Sequence, residues 1–376
     1  MVAVSVRLGR ILGIPVRIHY TLWLVFLLIA WSLAYGYMPR QYPGLGVATY
    51  WAIGIASAIL LFVSVLVHEL AHSYIASKNG LPIARITLFF FGGVSEMREE
   101  PKNPRLEVKM AAAGPLTSFA IAAIFAGLWY LNLTAGGLIG ITATFQYAAL
   151  INALLGAFNL VPAFPLDGGR VLRGAMWSRS GNLLKATTTA SKIGEAFAYA
   201  MMFGGFAAIF LGDIVDGVWF LFLGWFLRSG AETSKSQTVI SEALAGVRVG
   251  DVMTHEVVTV PPDMTIQRLV SEYFLVRTHG GYPVVQDGKL LGIITLQCVR
   301  ALPRDRWIDT SVGNAMVTCE RTVTIEPEAA AADAMAKMAR QRVGRLLVTS
   351  RDGQLLGILT NGDLMRAVQV RIDLGL

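Results

Sequence analysis

The chain has 376 residues, of which 54% are hydrophobic and 15% charged, and its mean hydropathy is +0.55. Soluble globular domains have about a quarter of their residues charged, so this composition excludes a wholly soluble protein. The formal net charge of +7 does not require a nucleic-acid partner, since membrane proteins carry excess basic residues in their cytoplasmic loops, and we expect no nucleic-acid binding.

Six apolar segments are candidates for crossing a bilayer, which takes about 20 residues. They lie at 20–38, 50–77, 108–131, 144–166, 194–212 and 215–229, and the last of them is the shortest. From about residue 240 onward the composition is that of a soluble α/β protein. The sequence therefore predicts a six-span helical membrane domain over 1–230, a linker over 231–246 and a soluble α/β domain over 247–376.

Basic residues predict which side of the membrane each connection faces. One set of connections holds thirteen Lys and Arg residues, whereas the opposite set holds Arg40 with Asp213 and Asp216. We therefore expect both termini and the soluble domain in the cytoplasm, with the spans in a prokaryotic plasma membrane. Cys298 and Cys319 have no CxxC spacing, which agrees with a reducing compartment. The first apolar run is not followed by a small-residue cleavage site, so we expect no removed signal peptide.

The second apolar segment contains HELAH (68–72), which matches the pattern H-E-x-x-H. On a helix, His68 and His72 project from one face, so both imidazoles can bind one metal ion. Glu69 lies beside that face, where it can take a proton from metal-bound water. The alternative is a polar trio lining a water-filled space in the helix bundle. A central charge costs about 2.5–3.5 kcal/mol in lipid, and a metal site accounts for all three residues at once.

A zinc ion that keeps a bound water needs a third protein ligand. The best candidate is Asp167, in FNLVPAFPLDGGRVLR (158–173), which the sequence puts at the cytoplasmic end of the fourth span. Pro162 and Pro165 break the helix there, and Asp167 can share the membrane depth of His72. An isolated Asp before Gly-Gly is more often a turn or cap residue, and that alternative remains open.

HELAH followed by NLVPAFPLDGG, on the second and fourth spans, resembles the two motifs of the site-2 protease family of intramembrane zinc metalloproteases. The resemblance implies one Zn²⁺ per chain, held by His68, His72 and Asp167, with Glu69 as the general base. It also implies that Asn159 holds the scissile peptide or its oxyanion, although a buried amide that joins helices is an equal alternative. The implied substrate is a membrane-spanning protein, a single-span regulator, cut within or near its membrane segment by regulated intramembrane proteolysis.

The connection ITLFFFGGV (86–94) is rich in β-forming residues and too short to be a span. It resembles the family's membrane-embedded β-loop, which implies that Phe91, Gly92 and Gly93 contact an unwound substrate by strand addition. The alternative is an interfacial anchor of aromatic residues. The run 113–115 (AGP), at the start of the third span, also resembles a family feature, which we interpret as a helix-packing element.

The soluble part contains an internal repeat, since LLGIITLQCVRAL (290–302) recurs as LLGILTNGDLMRAV (355–368). The two units, 247–302 and 310–370, resemble a tandem CBS pair, whose cleft commonly holds an adenine nucleotide (ATP, ADP or AMP). The family's ribose-contacting pattern G-h-x-[ST]-x-x-D is complete at Thr360 and Asp363, whereas Cys298 replaces the aspartate in the first unit. The resemblance therefore implies one regulatory nucleotide site at most, and a pair that serves only for homodimerisation or docking is the alternative.

A membrane ion or metal transporter with regulatory CBS domains is the alternative reading of the whole chain. A transporter predicts polar residues along several spans, whereas here they concentrate in the second span and at the end of the fourth. It also gives no reason for Glu69 to stand beside two metal-binding histidines. An inactive scaffold is not expected, because every residue of the expected site is present.

Overall fold

The computed structural model describes residues 5–90, 92–97, 101, 103–277, 279–318 and 322–374. The chain divides into two compact units, Met1–Thr238 and Val239–Leu376. Within the described residues, six helices are long and apolar enough to cross a membrane, and all six belong to or begin in the first unit. The second unit contains two small β-sheets with helices. The predicted fold class, a polytopic helical membrane domain followed by an α/β pair of repeats, is confirmed.

The first span is continuous from Thr21 to Gln41 and consists of an α-helix, a π-helical turn and a short α-helix. A shorter helix, α6, lies between the fourth and fifth spans and does not qualify as a span. The helices of this unit are α1 (Thr21–Ser32), the π-helical turn (Leu33–Tyr37), α2 (Met38–Gln41), α3 (Val47–Lys78), α4 (Pro104–Thr134), α5 (Ile139–Asn159), α6 (Asp167–Ser180), α7 (Leu183–Phe210) and α8 (Ile214–Ala243).

The predicted limits of the last three spans need correction. The fourth span ends at Asn159 and not at 166, because the proline-rich residues 160–166 form a turn. Asp167 therefore begins α6 instead of ending the fourth span. The helices that form the fifth and sixth spans, α7 and α8, reach beyond the predicted 194–212 and 215–229. α7 begins at Leu183, and α8 continues to Ala243. Hydropathy detects only the apolar part of a helix, whereas hydrogen bonding continues through its polar turns.

A four-stranded sheet with the order β1-β2-β3-β4 lies in the membrane unit. Its strands are β1 (Ser5–Ile11), β2 (Ile14–His19), β3 (Ile83–Phe89) and β4 (Gly92–Met97). β1 and β2 form a hairpin whose two loop residues, Leu12 and Gly13, have φ of 51° and 78°. β2 pairs parallel to β3, and β3 pairs antiparallel to β4, which leaves β4 at an edge. The sequence analysis missed the hairpin, although its second strand alternates apolar Ile14, Val16 and Ile18 with polar Arg17 and His19, as in a half-exposed strand.

Each repeat of the second unit builds a three-stranded sheet, β5-β6-β7 in the first and β10-β9-β8 in the second. The repeats exchange short segments: Val317 and Thr318 pair with β6, and Thr254 pairs with Ile358. Each sheet has its own apolar core. The elements are α9 (Val249–Val252), α10 (Ile266–Leu269), a π-helical turn (Val270–Phe274), β5 (Gly281–Gln286), β6 (Lys289–Thr295), α11 (Leu296–Arg300), a 3₁₀ turn (Arg304–Arg306), α12 (Val312–Ala315), β7 (Val317–Thr318), β8 (Thr324–Ile325), α13 (Ala331–Gln341), β9 (Arg345–Thr349), β10 (Leu355–Thr360) and α14 (Asn361–Leu374).

Candidate metal centre

His68, His72 and Asp167 converge inside the helical bundle. The two histidines lie one turn apart on α3, and Asp167 is the first residue of α6. The Nε2 atom of each imidazole is 3.1 Å from Oδ2 of Asp167, across 99 residues of sequence for His68. One ligand atom from each residue lies within 4.8 Å of the other two, and no other group of three His, Cys, Asp or Glu residues does so in the described part of the chain.

The third span, α4, orients both imidazoles. Nδ1 of His72 donates a hydrogen bond to the Met110 carbonyl oxygen at 2.7 Å, and Nδ1 of His68 is 2.8 Å from Oγ of Ser118. A carbonyl can only accept, so His72 carries a proton on Nδ1, and Nε2 is the nitrogen that can bind a metal ion once it is unprotonated. Such partners fix the ring orientation of metal-binding histidines. Sequence analysis missed Met110 and Ser118.

Gly114 lies between those two residues on the same stripe of α4, because the three positions follow one another at intervals of four. A Cβ atom at Gly114 would overlap Nε2 of both histidines. The helix therefore leaves open a space that any side chain would fill. Two imidazole nitrogens and one carboxylate oxygen are a zinc-type donor set that keeps a position for water, so the residues fit a zinc ion. No signal in the sequence marks Met110, which acts through its backbone carbonyl, and Ser118 is one of several small residues in this apolar helix.

Two glycines place Asp167. A Cβ atom at Gly168 would overlap the carbonyl oxygens of Leu160 and Val161, and one at Gly169 would meet the backbone at Phe164. Only glycine allows the first turn of α6 to pack this closely against the preceding turn. The close packing brings the first side chain of the helix back toward α3, which is why an aspartate so distant in sequence meets two histidines.

A buried ion pair holds the next turn of α6 against α4. Glu107, which is 1% exposed, accepts a hydrogen bond from Nε of Arg173 at 2.6 Å and a second contact from the Nη2 atom of the same arginine. The Arg173 guanidinium also lies 5.4 Å from the ring centre of Phe164. Removing one partner of a buried pair typically costs about 3–5 kcal/mol, so the pair fixes the helix that carries Asp167.

Glu69 faces the same centre from α3 and lies against the edge strand β4. A Cβ atom at Gly93 would overlap the Glu69 side chain, and one at Gly92 would touch Val65. Both glycines and Glu69 line a cavity of about 420 Å³ together with the three candidate ligands, Asn159 and Arg170. Phe91, which the sequence analysis assigned to substrate contact, lies outside the described residues.

Asn159 is the last residue of α5 and lines this cavity. Its amide nitrogen donates to the Leu155 carbonyl oxygen at 2.9 Å, in its own helix. An apolar groove of about 520 Å³ adjoins the cavity and shares Leu155 with it. The groove is lined by Leu61, Ile151, Leu154, Leu155, Ala157, Phe158 and Val161.

The second unit places Thr360 and Asp363 together at the start of α14. Oδ2 of Asp363 accepts hydrogen bonds from the Thr360 backbone nitrogen at 2.8 Å and from its hydroxyl at 2.7 Å, as in a capping box. Both residues line a cavity of about 370 Å³, together with His279, Tyr282 and Arg345. Burial raises the pKa of the Tyr282 phenol above its usual value.

The first repeat uses a cysteine at the equivalent position. Cys298 Sγ is 3.2 Å from Oγ1 of Thr295, and the Cys298 backbone nitrogen donates to the same oxygen at 3.4 Å. The local cap is therefore retained without a carboxylate. Cys319, the other cysteine, lies outside the described residues.

Comparison with known proteins gives consistent similarities over most of the chain. The family model of peptidase family M50 matches residues 56–136 and 135–204, and the CBS domain model matches 249–302 and 312–370. Rip3 of Mycobacterium tuberculosis, provisionally named a zinc metalloprotease, is 33% identical over 370 residues, covering 97% of this chain and 93% of the relative. Zinc metalloprotease MJ0392 of Methanocaldococcus jannaschii is 31% identical over 369 residues, covering 97% and 96%. A solved site-2 protease from M. jannaschii is 34% identical, covers 61% of this chain and 95% of that chain, and has a TM-score of 0.42.

Proposed function

Because the chain belongs to peptidase family M50, the site-2 proteases, and is a multi-pass membrane zinc metalloprotease, we propose that it cuts a membrane-spanning protein within or near its transmembrane segment. The observation that carries this proposal is the convergence of His68, His72, Asp167 and Glu69 on one cavity inside the bundle. We further propose that the substrate is a single-span regulator cut near its cytoplasmic end.

Each residue has a role in the proposed mechanism. His68, His72 and Asp167 would hold the zinc ion, which supplies polarisation of the scissile carbonyl and a bound water of lowered pKa. The Glu69 carboxylate takes a proton from the attacking water and later returns it to the leaving amine nitrogen. The Met110 carbonyl keeps a proton on Nδ1 of His72, and Ser118 holds the ring orientation of His68.

The edge strand β4 supports binding of an extended peptide beside Glu69. A helical peptide bond is wrapped by its neighbours, so a substrate helix must unwind before it can be cut. An unwound segment can add to a free sheet edge by main-chain hydrogen bonds, and Gly92 and Gly93 of this edge strand line the same cavity as Glu69. The apolar groove that shares Leu155 with the cavity supports lateral approach of a substrate from the membrane. Asn159, in the wall of the cavity itself, is proposed to hold the substrate peptide.

The test is cleavage of single-span proteins in liposomes by purified, zinc-loaded protein. The wild type should release fragments, and Glu69→Gln should reduce the rate by about 10²–10⁴-fold, the usual contribution of a general acid or base. Zinc content should stay at one ion per chain in both proteins. Equal cleavage by the variant would contradict the proposal, and zinc flux into the liposomes without cleavage would favour a transporter instead.

For the second unit, we propose a cytoplasmic location and one adenine-nucleotide site at Thr360 and Asp363. The cavity that both residues line, and the guanidinium of Arg345 in its wall, support an anionic ligand of this size. A functional division into 1–230, 231–246 and 247–376, and homodimerisation through the repeats, stay predictions. Calorimetric titration of the full-length protein with AMP, ADP and ATP tests the site: one binding event supports it, and an absence of binding by all three contradicts it.

A further inference from the structure

Arg170 is a cation in the wall of the catalytic cavity that the mechanism above does not use. It follows Asp167 by three residues on α6, so its side chain projects from nearly the same side of the helix. It lines the cavity with Glu69, Asn159 and Gly93, and a quarter of its side chain is exposed.

The Arg170 guanidinium makes only a long ion pair within the described residues. The nearest carboxylate among them is Glu107, whose Oε1 is 4.0 Å from Nε of Arg170, which is too long for a hydrogen bond. That oxygen already accepts from Arg173, which supplies the close partner of the carboxylate. In the part of the chain that the structure describes, the Arg170 guanidinium donates no hydrogen bond, so its N–H groups are available to a ligand in the cavity.

A cation within a membrane domain is costly unless it meets water or an acceptor, and such residues commonly mark functional sites. A guanidinium presents five N–H donors in a planar fork that suits oxygen acceptors. In an extended peptide beside β4, the alternate carbonyl oxygens that do not pair with the strand are open to other donors in this cavity. The backbone of the substrate is therefore the ligand that matches Arg170 in both chemistry and position.

We propose that Arg170 is a substrate-binding residue that donates hydrogen bonds to backbone carbonyl oxygens of the extended peptide in the catalytic cavity. The inference rests on the proposed function of that cavity. It assigns α6 two tasks on one face: Asp167 belongs to the metal centre, and Arg170 holds the peptide one turn further along.

The experiment compares Arg170→Gln and Arg170→Lys with Arg179→Gln, an exposed arginine on the same helix. With a substrate that the wild type cuts, Arg170→Gln should lower kcat/KM by about 10- to 100-fold, the range for losing a hydrogen bond to a charged group. Arg170→Lys should retain part of the activity, and Arg179→Gln should match the wild type. Zinc content should not change in any of them.

Two further measurements separate binding from a merely structural role. Arg170→Ala should regain activity when guanidinium is added, whereas sodium at the same ionic strength should not restore it. In the Glu69→Gln background, which is designed not to turn over, Arg170→Gln should weaken binding of a fluorescent substrate peptide by a similar factor.

An Arg170→Gln variant with unchanged kcat/KM and unchanged peptide binding would overturn the inference. So would a variant whose loss is reversed by added zinc, because that result assigns Arg170 to the metal centre. If the wild type cuts nothing, the proposed function fails and this inference fails with it. If the wild type cuts a substrate and Arg170→Gln cuts and binds it equally well, this inference alone fails.

Discussion

Asp167 and Asp363 both stand in the first turn of a helix, in similar Asp-Gly and Gly-Asp contexts, but their carboxylates do different work. Asp363 turns back to its own helix and accepts from Thr360, three residues away. Asp167 makes no cap for α6 and instead faces two imidazoles on α3. The contact of Asp363 with Thr360 needs only the first turn of a helix. The contact of Asp167 with the imidazoles needs two close-packed glycines, and it also needs α4 to orient the histidine rings. An aspartate that leaves its own cap is therefore the better indicator of a site.

The largest expected effect comes from removing the carboxylate of Asp167. Asp167→Ala should abolish both zinc retention and cleavage, because two imidazoles alone do not complete a catalytic zinc site. Metal analysis after dialysis and the liposome assay measure the two losses. Asp213→Ala, in an exposed connection, is the control and should behave as the wild type; retention of one zinc by Asp167→Ala would show that another residue completes the site.

Adding a single methyl group at Gly114 should disrupt the metal centre almost as completely as the loss of Asp167. We expect Gly114→Ala to reduce zinc affinity and activity by more than about 100-fold, because the added Cβ would occupy the space between the imidazoles. Loss of a residue that only orients a metal ligand typically costs less than this. Gly127→Ala on the same helix has no atoms within 4 Å of the new Cβ and is the matched control. Zinc titration in detergent gives both affinities, and a Gly114→Ala protein with normal affinity would refute this account of the glycine.

The orientation of His68 should matter less than its presence. Ser118→Ala removes the partner of Nδ1, and we expect about a 10- to 100-fold loss of zinc affinity, as for other residues that orient metal ligands. Thr117→Ala is the control, since its hydroxyl bonds only to its own helix at the Ala113 carbonyl. Equal zinc affinities in the two variants would mean that packing alone holds the ring.

Replacement of Asp363 should have the smallest effect on stability of the changes considered, together with a separate effect on nucleotide binding. Asp363→Ala removes one side of a capping box, which is worth about 1 kcal/mol of the free energy of unfolding, and we expect adenine-nucleotide binding to disappear with it. Asp373→Ala, exposed near the end of the same helix, controls for loss of charge. Thermal unfolding and calorimetry distinguish the two roles: lost stability with unchanged nucleotide affinity would reduce Asp363 to a cap.

Much of the metal centre could be predicted because ionisable residues in an apolar membrane helix carry a free-energy cost that a functional site explains. His68, Glu69 and His72 stand out in an apolar helix and indicated a zinc metalloprotease, whereas the internal repeat indicated a CBS pair. The family models and the relatives confirm both. The sequence also led to Asp167, but only the structure shows that it starts a new helix instead of ending a span. The roles of the individual site residues stay predictions until the variants above are measured.

What escaped prediction depends on neighbours that are distant in sequence. Ser118 looks like an ordinary small residue of a membrane helix, and Gly114 was interpreted as part of a helix-packing element. Their contacts with the imidazoles became visible only when α4 was placed against α3. The β1–β2 hairpin was missed because it is short and stabilised by pairing with β3, some 65 residues later. Helix ends were misplaced wherever polar turns extend an apolar span, as at Leu183.

The pairing of β2 with β3 constrains membrane topology by a means independent of charge. Val16, Arg17 and Ile18 pair in register with Ile86, Thr87 and Leu88, and between these strands the chain passes through the first two spans. Backbone pairs of this kind can form only if the first segment and the connection after the second span lie on the same face of the bilayer. An even number of crossings is thereby fixed by hydrogen bonds, so a misinserted first span would leave β4, the edge strand beside Glu69, without half of its sheet.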